Sequence, residues 1–311
     1  MESPNDIDAK VRLRVFEWLK EQTLIYGEVL PWKLLNEGVP YQNKKIRLLG
    51  PQGIFKPEIL PELPLTIRTA LESPYDDKHD PSGYLLYRYM GTNPNHWQNA
   101  ALREAMIRKV PLVYLYCVEE GKYFPVWPVT VEGDDPSKLT FKVLVDEEKV
   151  ARIAQMRVNG YQVSEPGEED AKRRYMTAQM KYRLHQQKFR VQVLRAYREQ
   201  CAMCRLRHPE LLEAIHIIPD SEPKGDPVVP NGISLCNLHH TAFDRFVLGI
   251  RPDYVIKVRK DVLEEEDGPI LLHGLQALND QRLILPRSHK DHPDPDRLEI
   301  RYGKFKNFTP N

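Results

Sequence analysis

The stretch CAMCRLRHPELLEAIHIIPD, residues 201–220, holds two of the chain's four cysteines, separated by two residues and followed by a histidine in a short apolar run. Two thiols at that spacing offer half of a tetrahedral metal site. The other half stands in NGISLCNLHHTAFD, residues 231–244, where Cys236 and His239 form a C-x2-H pair with 31 residues between Cys204 and Cys236. Cys201, Cys204, Cys236 and His239 together supply three thiolates and one imidazole, a normal closed set for structural zinc. The fourth cysteine, Cys117, sits in the strand-like YLYCV and reads as a small core residue. His216, Asn231 and His240 are left without a part in that metal set.

With 311 residues the chain is long enough for one large domain or two ordinary ones. An apolar fraction of 41% and a charged fraction of 29% describe a soluble globular protein. No apolar run approaches the roughly 18–20 residues of a membrane span, and MESPNDIDAKVR lacks the apolar core of a secretory leader. Four cysteines in a chain of this size do not make a disulfide framework, so the expected compartment is reducing and cytoplasmic. The net charge of +1 says nothing of a polyanionic partner. Its distribution does. From Lys172 to Arg198 there are nine Lys or Arg residues and no Asp or Glu. A solvated helix face usually mixes signs, whereas a surface that follows phosphates excludes acids.

Upstream, VRLRVFEWLKEQ at 11–22 places Val11, Val15, Trp18 and Leu19 at helical spacing. Proline-rich, glycine-punctuated sequence follows. Strand-like pieces then appear at 84–91, 110–118, 122–131 and 139–145, interrupted by a helix around WQNAALREAMIR. Residues up to about 155 therefore read as a β-rich domain, a small barrel or strongly bent sheet. EPGEED at 165–170 reads as a linker into a long basic helix whose apolar face would carry Tyr182, Phe189, Val193, Leu194 and Tyr197.

The order of elements after Cys204 resembles the HNH nucleases of the ββα-metal fold. It runs from a strand ending in A-I-H-I-I-P, through a loop to N-G-I-S-L-C, and into a helix bearing H-H-x3-D. The resemblance spans about residues 190–265. It implies His216 as the general base for phosphodiester hydrolysis and Asn231 as the residue that holds the loop and orients His216. It implies His240 and Asp244, one helical turn apart, as ligands of a catalytic divalent cation, Mg²⁺ or Mn²⁺. Adjacent His239 and His240 diverge by about 100° on a helix, so one can serve zinc and the other the active site. Many relatives carry Asp or His just before the base, where this chain has Ile215. Glu213, expected on the same strand face as His216, is a weaker candidate ligand. Asp244 has the alternative of a cap or ion pair within its helix.

SPYDDKHDPSGYLLYRYMG, with the helix and P-L-V strand that follow, resembles the SRA domains that grip a flipped modified cytosine. The resemblance covers about residues 70–145. It implies Tyr75 and Tyr89 as stacking rings and Asp77 as acceptor from the exocyclic amine, with Asp76 as the alternative acceptor. The bland alternative makes these tyrosines core or cross-strand residues, and a reader of some other modification also fits.

These readings give an α+β chain with an SRA/PUA-like barrel at 1–160, a basic helical linker at 161–199, and a zinc-stabilised HNH domain with a C-terminal extension at 200–311. The expected activity is endonucleolytic cleavage of double-stranded DNA carrying modified cytosine, with no membrane association. One HNH site cuts one strand, so a double-strand break calls for a homodimer or two binding events. The rivals are a non-catalytic zinc-containing DNA-binding protein and a nicking or homing-type HNH nuclease without modification dependence.

Overall fold

A computed structural model describes residues 4–69, 84–145, 166–266 and 268–309. The chain divides into two compact units, Met1–Leu184 and His185–Asn311. Among the described residues, no helix is long and apolar enough to cross a membrane.

The first unit opens with the helix Pro4–Tyr26. Its predicted apolar stripe is buried: Val11, Val15 and Leu19 are fully inside and Trp18 nearly so. These side chains join Leu30, Leu35, Val39 and Leu115 in one apolar cluster. Gly38 follows the helical turn Trp32–Glu37 with φ +85°, and a Cβ there would lie 2.5 Å from the Ile46 carbonyl oxygen. Only glycine can make that turn into β2 (Val39–Tyr41), which pairs antiparallel with β3 (Lys44–Ile46).

The main sheet has seven strands. Its order is β4 (Ile54–Phe55), β5 (Thr66–Arg68), β7 (Leu112–Glu119), β8 (Lys122–Asp135), β9 (Thr140–Val145) and β6 (Leu85–Arg88), with β1 (Leu30–Pro31) also pairing β8. Register shifts between β7 and β8 and between β8 and β9 bend the ladder, and bulges of this kind increase local twist. The sheet curls into a half-barrel. All four predicted strand segments and the helix, here Trp97–Ile107, are present. Cys117 is buried. The sequence did not announce β4 and β5. Both are two or three residues long, and β5 pairs with β7 in parallel, a contact that no local hairpin signal encodes.

A buried amide fixes the corner after β6. Asn99 is fully buried, accepts from the Met90 N–H at 2.8 Å, and donates to the carbonyls of Asn93 at 2.9 Å and Met90 at 3.2 Å.

The long basic helix is present as Pro166–Ala196 and crosses the boundary between the units. The stretch expected as a linker is helical from Pro166, as suits a proline in the first turn followed by Glu168, Glu169 and Asp170. Phe189, Val193, Leu194 and Tyr197 are buried as expected, but Tyr182 is exposed. Four of the five apolar residues therefore form the packed face.

In the second unit, β10 (Leu212–His216) pairs antiparallel with β11 (Gly232–Cys236), and a helix, Asn237–Asp244, follows at once. This is the ββα order expected from the sequence. The unit also holds a second hairpin, β12 (Leu248–Ile250) and β13 (Ile256–Val258), the short helices Lys260–Leu263 and Pro269–Gly274, and the C-terminal helix Pro295–Lys306. Asp294 caps that helix through the N–H groups of Asp296 and Arg297. Its own N–H donates to the Pro230 carbonyl at 2.9 Å, tying the helix to the loop before Asn231.

Removing the buried Asn99 amide takes the partner from the Met90 N–H and from the Met90 and Asn93 carbonyls. Asn99→Ala should cost about 1–3 kcal/mol, the scale of a hydrogen-bonded group lost from a partly buried site. Urea denaturation of the full chain, followed by a signal from the first unit, checks this.

Candidate functional site

The four predicted metal ligands converge. The ligand atoms of Cys201, Cys204, Cys236 and His239 all lie within 4.8 Å of one another. His239 Nδ1 is 3.4 Å from Cys201 Sγ and 3.2 Å from Cys236 Sγ, and the Cys204 and Cys236 sulfurs are 3.9 Å apart. Zinc with Zn–S bonds of about 2.3 Å and Zn–N of about 2.0 Å separates tetrahedral ligands by roughly 3.5–3.8 Å, so the cluster is compatible with zinc. His239 Nε2 donates to the Gly274 carbonyl at 2.8 Å. That hydrogen bond leaves the Nδ1 lone pair facing the sulfurs, the usual outer-shell device for a ligating imidazole. Cys201 and Cys236 push the Cys204 thiol up, while hydrogen bonds from Cys201 and Cys204 pull Cys236 down. Thiols so close cannot all ionise without a cation among them. The Cys3His cluster can hold a metal ion.

The cluster also sets the local geometry. Cys236 ends β11 and is the N-cap position of the following helix, and His239 lies in that helix's first turn. The Ala202 N–H donates to the Ser234 carbonyl at 2.7 Å, and the Ile284 N–H to the Ala202 carbonyl at 2.9 Å. The knuckle is therefore laced to β11 on one side and to the chain after β13 on the other.

His240 diverges from His239 as the helical angle requires. Both of its nitrogens meet carboxylates, Nδ1 that of Glu213 and Nε2 that of Asp244 at 3.0 Å. The hydrogen bond to Asp244 is the main cause raising the His240 pKa, with Glu213 adding to it and burial opposing. In turn His240 lowers the Asp244 pKa. Arg301, from the C-terminal helix, stands 3.5 Å from Asp244 and donates to the Phe243 carbonyl at 3.0 Å. Its guanidinium lies over the rings of Phe243 and Phe246. The sequence offered no signal for Arg301, which lies 57 residues beyond Asp244.

One expectation about faces is corrected. Glu213 pairs with Leu235 and His216 with Gly232 in an unbroken register. The two are three residues apart, so strand alternation puts them on opposite faces. Glu213 shares its face with Ile215, toward His240. His216 turns the other way, and its ring is stacked on Phe189 with centroids 4.1 Å apart and planes 19° from parallel. Burial lowers the His216 pKa, with Asp220 opposing, and its Nε2 is buried with no hydrogen-bond partner among the described residues.

Asn231 is fully buried. Its amide accepts from the Ile218 N–H at 3.0 Å and donates to the carbonyls of Ile218 at 3.0 Å and Asp226 at 3.1 Å. Its carbonyl accepts from the Ile217 N–H at 2.8 Å. Asn231 thus clamps the backbone just beyond His216, rather than bonding its imidazole.

In the first unit, Tyr75 and Asp77, with Asp76, lie outside the described residues. Tyr89 is buried, its ring 4.6 Å from that of Phe141. Its hydroxyl meets Asp134, and Arg103 donates to it at 3.2 Å and to Asp134 at 2.5 Å.

Residues 201–251 match the family described as HNH endonuclease. The second unit therefore carries an HNH endonuclease domain. Among solved structures, the chain is similar at 16% identity to the modification-dependent TagI restriction endonuclease, covering 79% of this chain and 83% of that one with a TM-score of 0.29. It is similar at 14% identity to the phosphorothioation-dependent type IV restriction endonuclease ScoMcrA, over 60% of this chain and 55% of that one, with a TM-score of 0.20. No curated protein matches.

Because binding at such a cluster is coupled to folding, well-folded protein should carry about one equivalent of tightly bound zinc. Cys204→Ala should lose the zinc and aggregate. Metal analysis of the purified wild type and variant checks both, and well-folded wild type with under half an equivalent refutes the assignment.

Proposed function

We propose that this protein is a metal-dependent DNA endonuclease that restricts DNA carrying modified cytosine. The observation that carries the reading is the HNH endonuclease match at 201–251, where His216, Asn231 and His240 stand beside a separate Cys3His cluster.

In this reading Cys201, Cys204, Cys236 and His239 hold structural zinc. His240 and Asp244 hold the catalytic divalent cation, Mg²⁺ or Mn²⁺. Two carboxylates around one imidazole make a donor set suited to such an ion. Glu213 supplies the carboxylate that Ile215 cannot, since it shares the face of residue 215 and already reaches His240. Held there, such an ion would supply positive charge for the leaving 3′ oxygen. His216 takes a proton from the attacking water, and its lowered pKa keeps the imidazole neutral and able to accept one. Asn231 keeps the strand end and its loop in register, so that His216 is presented rather than buried further. The acid-free run from Lys172 to Arg198 tracks phosphates.

The first unit would read the modification through Tyr75 and Asp77, by its resemblance to SRA domains. By the same resemblance Tyr89 would be the second stacking ring, and its own ring is held by Phe141, Asp134 and Arg103. One bond cut per site implies that a double-strand break needs two protomers or two binding events. The second reading is a non-catalytic zinc-containing DNA-binding protein. It is favoured by the half-buried, stacked ring of His216, which also suits a core histidine.

Two experiments separate the readings. Plain, methylcytosine, hydroxymethylcytosine and phosphorothioate duplexes should be offered side by side with Mg²⁺ or Mn²⁺, and cleavage is expected only on modified cytosine. Cleavage confined to the phosphorothioate duplex would replace the base reader by a backbone reader. His216→Ala should bind modified DNA as wild type does and cut it about 10²–10⁴-fold more slowly, the usual cost of losing a general base. Undiminished cleavage by that variant would overturn its assignment, and no cleavage by wild type under any divalent metal would leave the binding protein.

A further inference from the structure

We propose that Phe189 is a positioning residue for the cleavage reaction, holding the His216 imidazole by ring stacking from the long basic helix. The proposal rests on the reading of His216 as the base. Phe189 is buried, and its ring lies almost parallel to that of His216 at 4.1 Å between centroids. A contact of this kind fixes one face of the imidazole and restricts its rotation.

The backbone opposite His216 is shaped to admit Phe189. His216 pairs with Gly232 across the hairpin. A Cβ on Gly232 would lie 2.9 Å from Phe189 Cζ and 2.4 Å from Val193 Cγ2. No side chain other than hydrogen fits there unless the helix moves, so Gly232 leaves the space into which the helix seats its phenyl ring. The N-G dipeptide at 231–232 is thus used on both sides, Asn231 clamping the backbone after His216 and Gly232 making room for the ring that stacks on it. The helix is fixed alongside. Arg190, next to Phe189, donates to the Leu212 carbonyl at 2.5 Å and the Pro209 carbonyl at 3.2 Å. Gln186, one turn earlier, donates to Asp220 at 3.1 Å. The helix thus grips β10 at its start and the loop beyond its end, with Phe189 on the histidine between them.

A structural role alone predicts that Phe189 variants lose stability and activity together. A positioning role predicts that kcat falls while DNA affinity and fold persist. Phe189→Leu keeps apolar volume but has no ring face, and Phe189→Met serves in its place if Leu lowers the zinc content. Val193→Ala is the control, since it trims the same helix face without touching the imidazole stack. On the full-length protein, Phe189→Leu should lower single-turnover cleavage of modified DNA about 10- to 100-fold, the scale of a small misplacement of a reacting group. DNA affinity in gel shifts should be unchanged, and Val193→Ala should cut at nearly the wild-type rate despite lower stability. Independently of cleavage, the His216 ring protons should be ring-current shifted in wild type and move toward ordinary values in Phe189→Leu, read by NMR on histidine-labelled protein and assigned with His216→Gln. Retained cleavage in Phe189→Leu, or losses matching those of Val193→Ala, would overturn the proposal. If His216→Ala itself cuts normally, the base reading fails, and the NMR shift still reports whether the stack exists.

Discussion

The second unit turns on the corner where β11 becomes a helix. Cys236 closes the strand and His239 opens the helix, and both face the knuckle that carries Cys201 and Cys204. A single ion at that point would fix the strand, the helix and the knuckle relative to one another, in place of the apolar area a hairpin and an eight-residue helix could bury alone. Fixing the helix by His239 fixes the direction of His240, because neighbouring helical residues diverge by a constant angle. The Gly274 carbonyl then holds the tautomer of His239 from a segment far along the chain. The contacts of His240 with Glu213 and Asp244 depend on that corner.

The two faces of β10 divide the work. Ile215 and Glu213 look toward the helix of His240, one as core and the other as a partner for the imidazole. Leu212 is buried at the strand's start, and His216, its last residue, turns to the long helix. A half-buried imidazole stacked on an aromatic ring, beside a clamped backbone, keeps little rotational freedom. It also loses part of its hydration, and this lowers its affinity for a proton. The same burial that looks like core packing therefore keeps the group neutral near physiological pH.

Legibility from sequence followed the range of each interaction. The metal cluster was readable because its ligands come as two short-spaced pairs, and spacing is a one-dimensional property. The ββα order, the stripe of the first helix and the long strands of the first unit were readable because periodicity is local. β5 was not, since three residues carry no period and their partner β7 lies beyond β6 and a helix. The face of Glu213 was misread, although strand alternation alone assigns it to the side of Ile215. Phe189 was legible as a core residue but not as a neighbour of His216. Arg301 was invisible, because nothing in the C-terminal helix signals that its guanidinium meets Asp244. Tyr182 was assigned to the packed face from period alone, yet it stays exposed.

The charges around His240 connect the C-terminal extension to the chemistry. Glu213 and Asp244 both approach one imidazole, and two carboxylates that close would repel without a positive charge between or beside them. The two carboxylates favour a proton on His240, whose pKa they raise, and Arg301 beside Asp244 supplies a further positive charge. In the proposed nuclease a divalent ion would take the place of that proton, since His240 cannot bind a metal through a protonated nitrogen. Proton and metal would then compete for the same nitrogen, and a more acidic solution would weaken the metal's hold. The charge of Arg301 favours the carboxylate form of Asp244, and its guanidinium is held over the rings of Phe243 and Phe246. The C-terminal helix thus supplies a fixed countercharge to the carboxylates around His240.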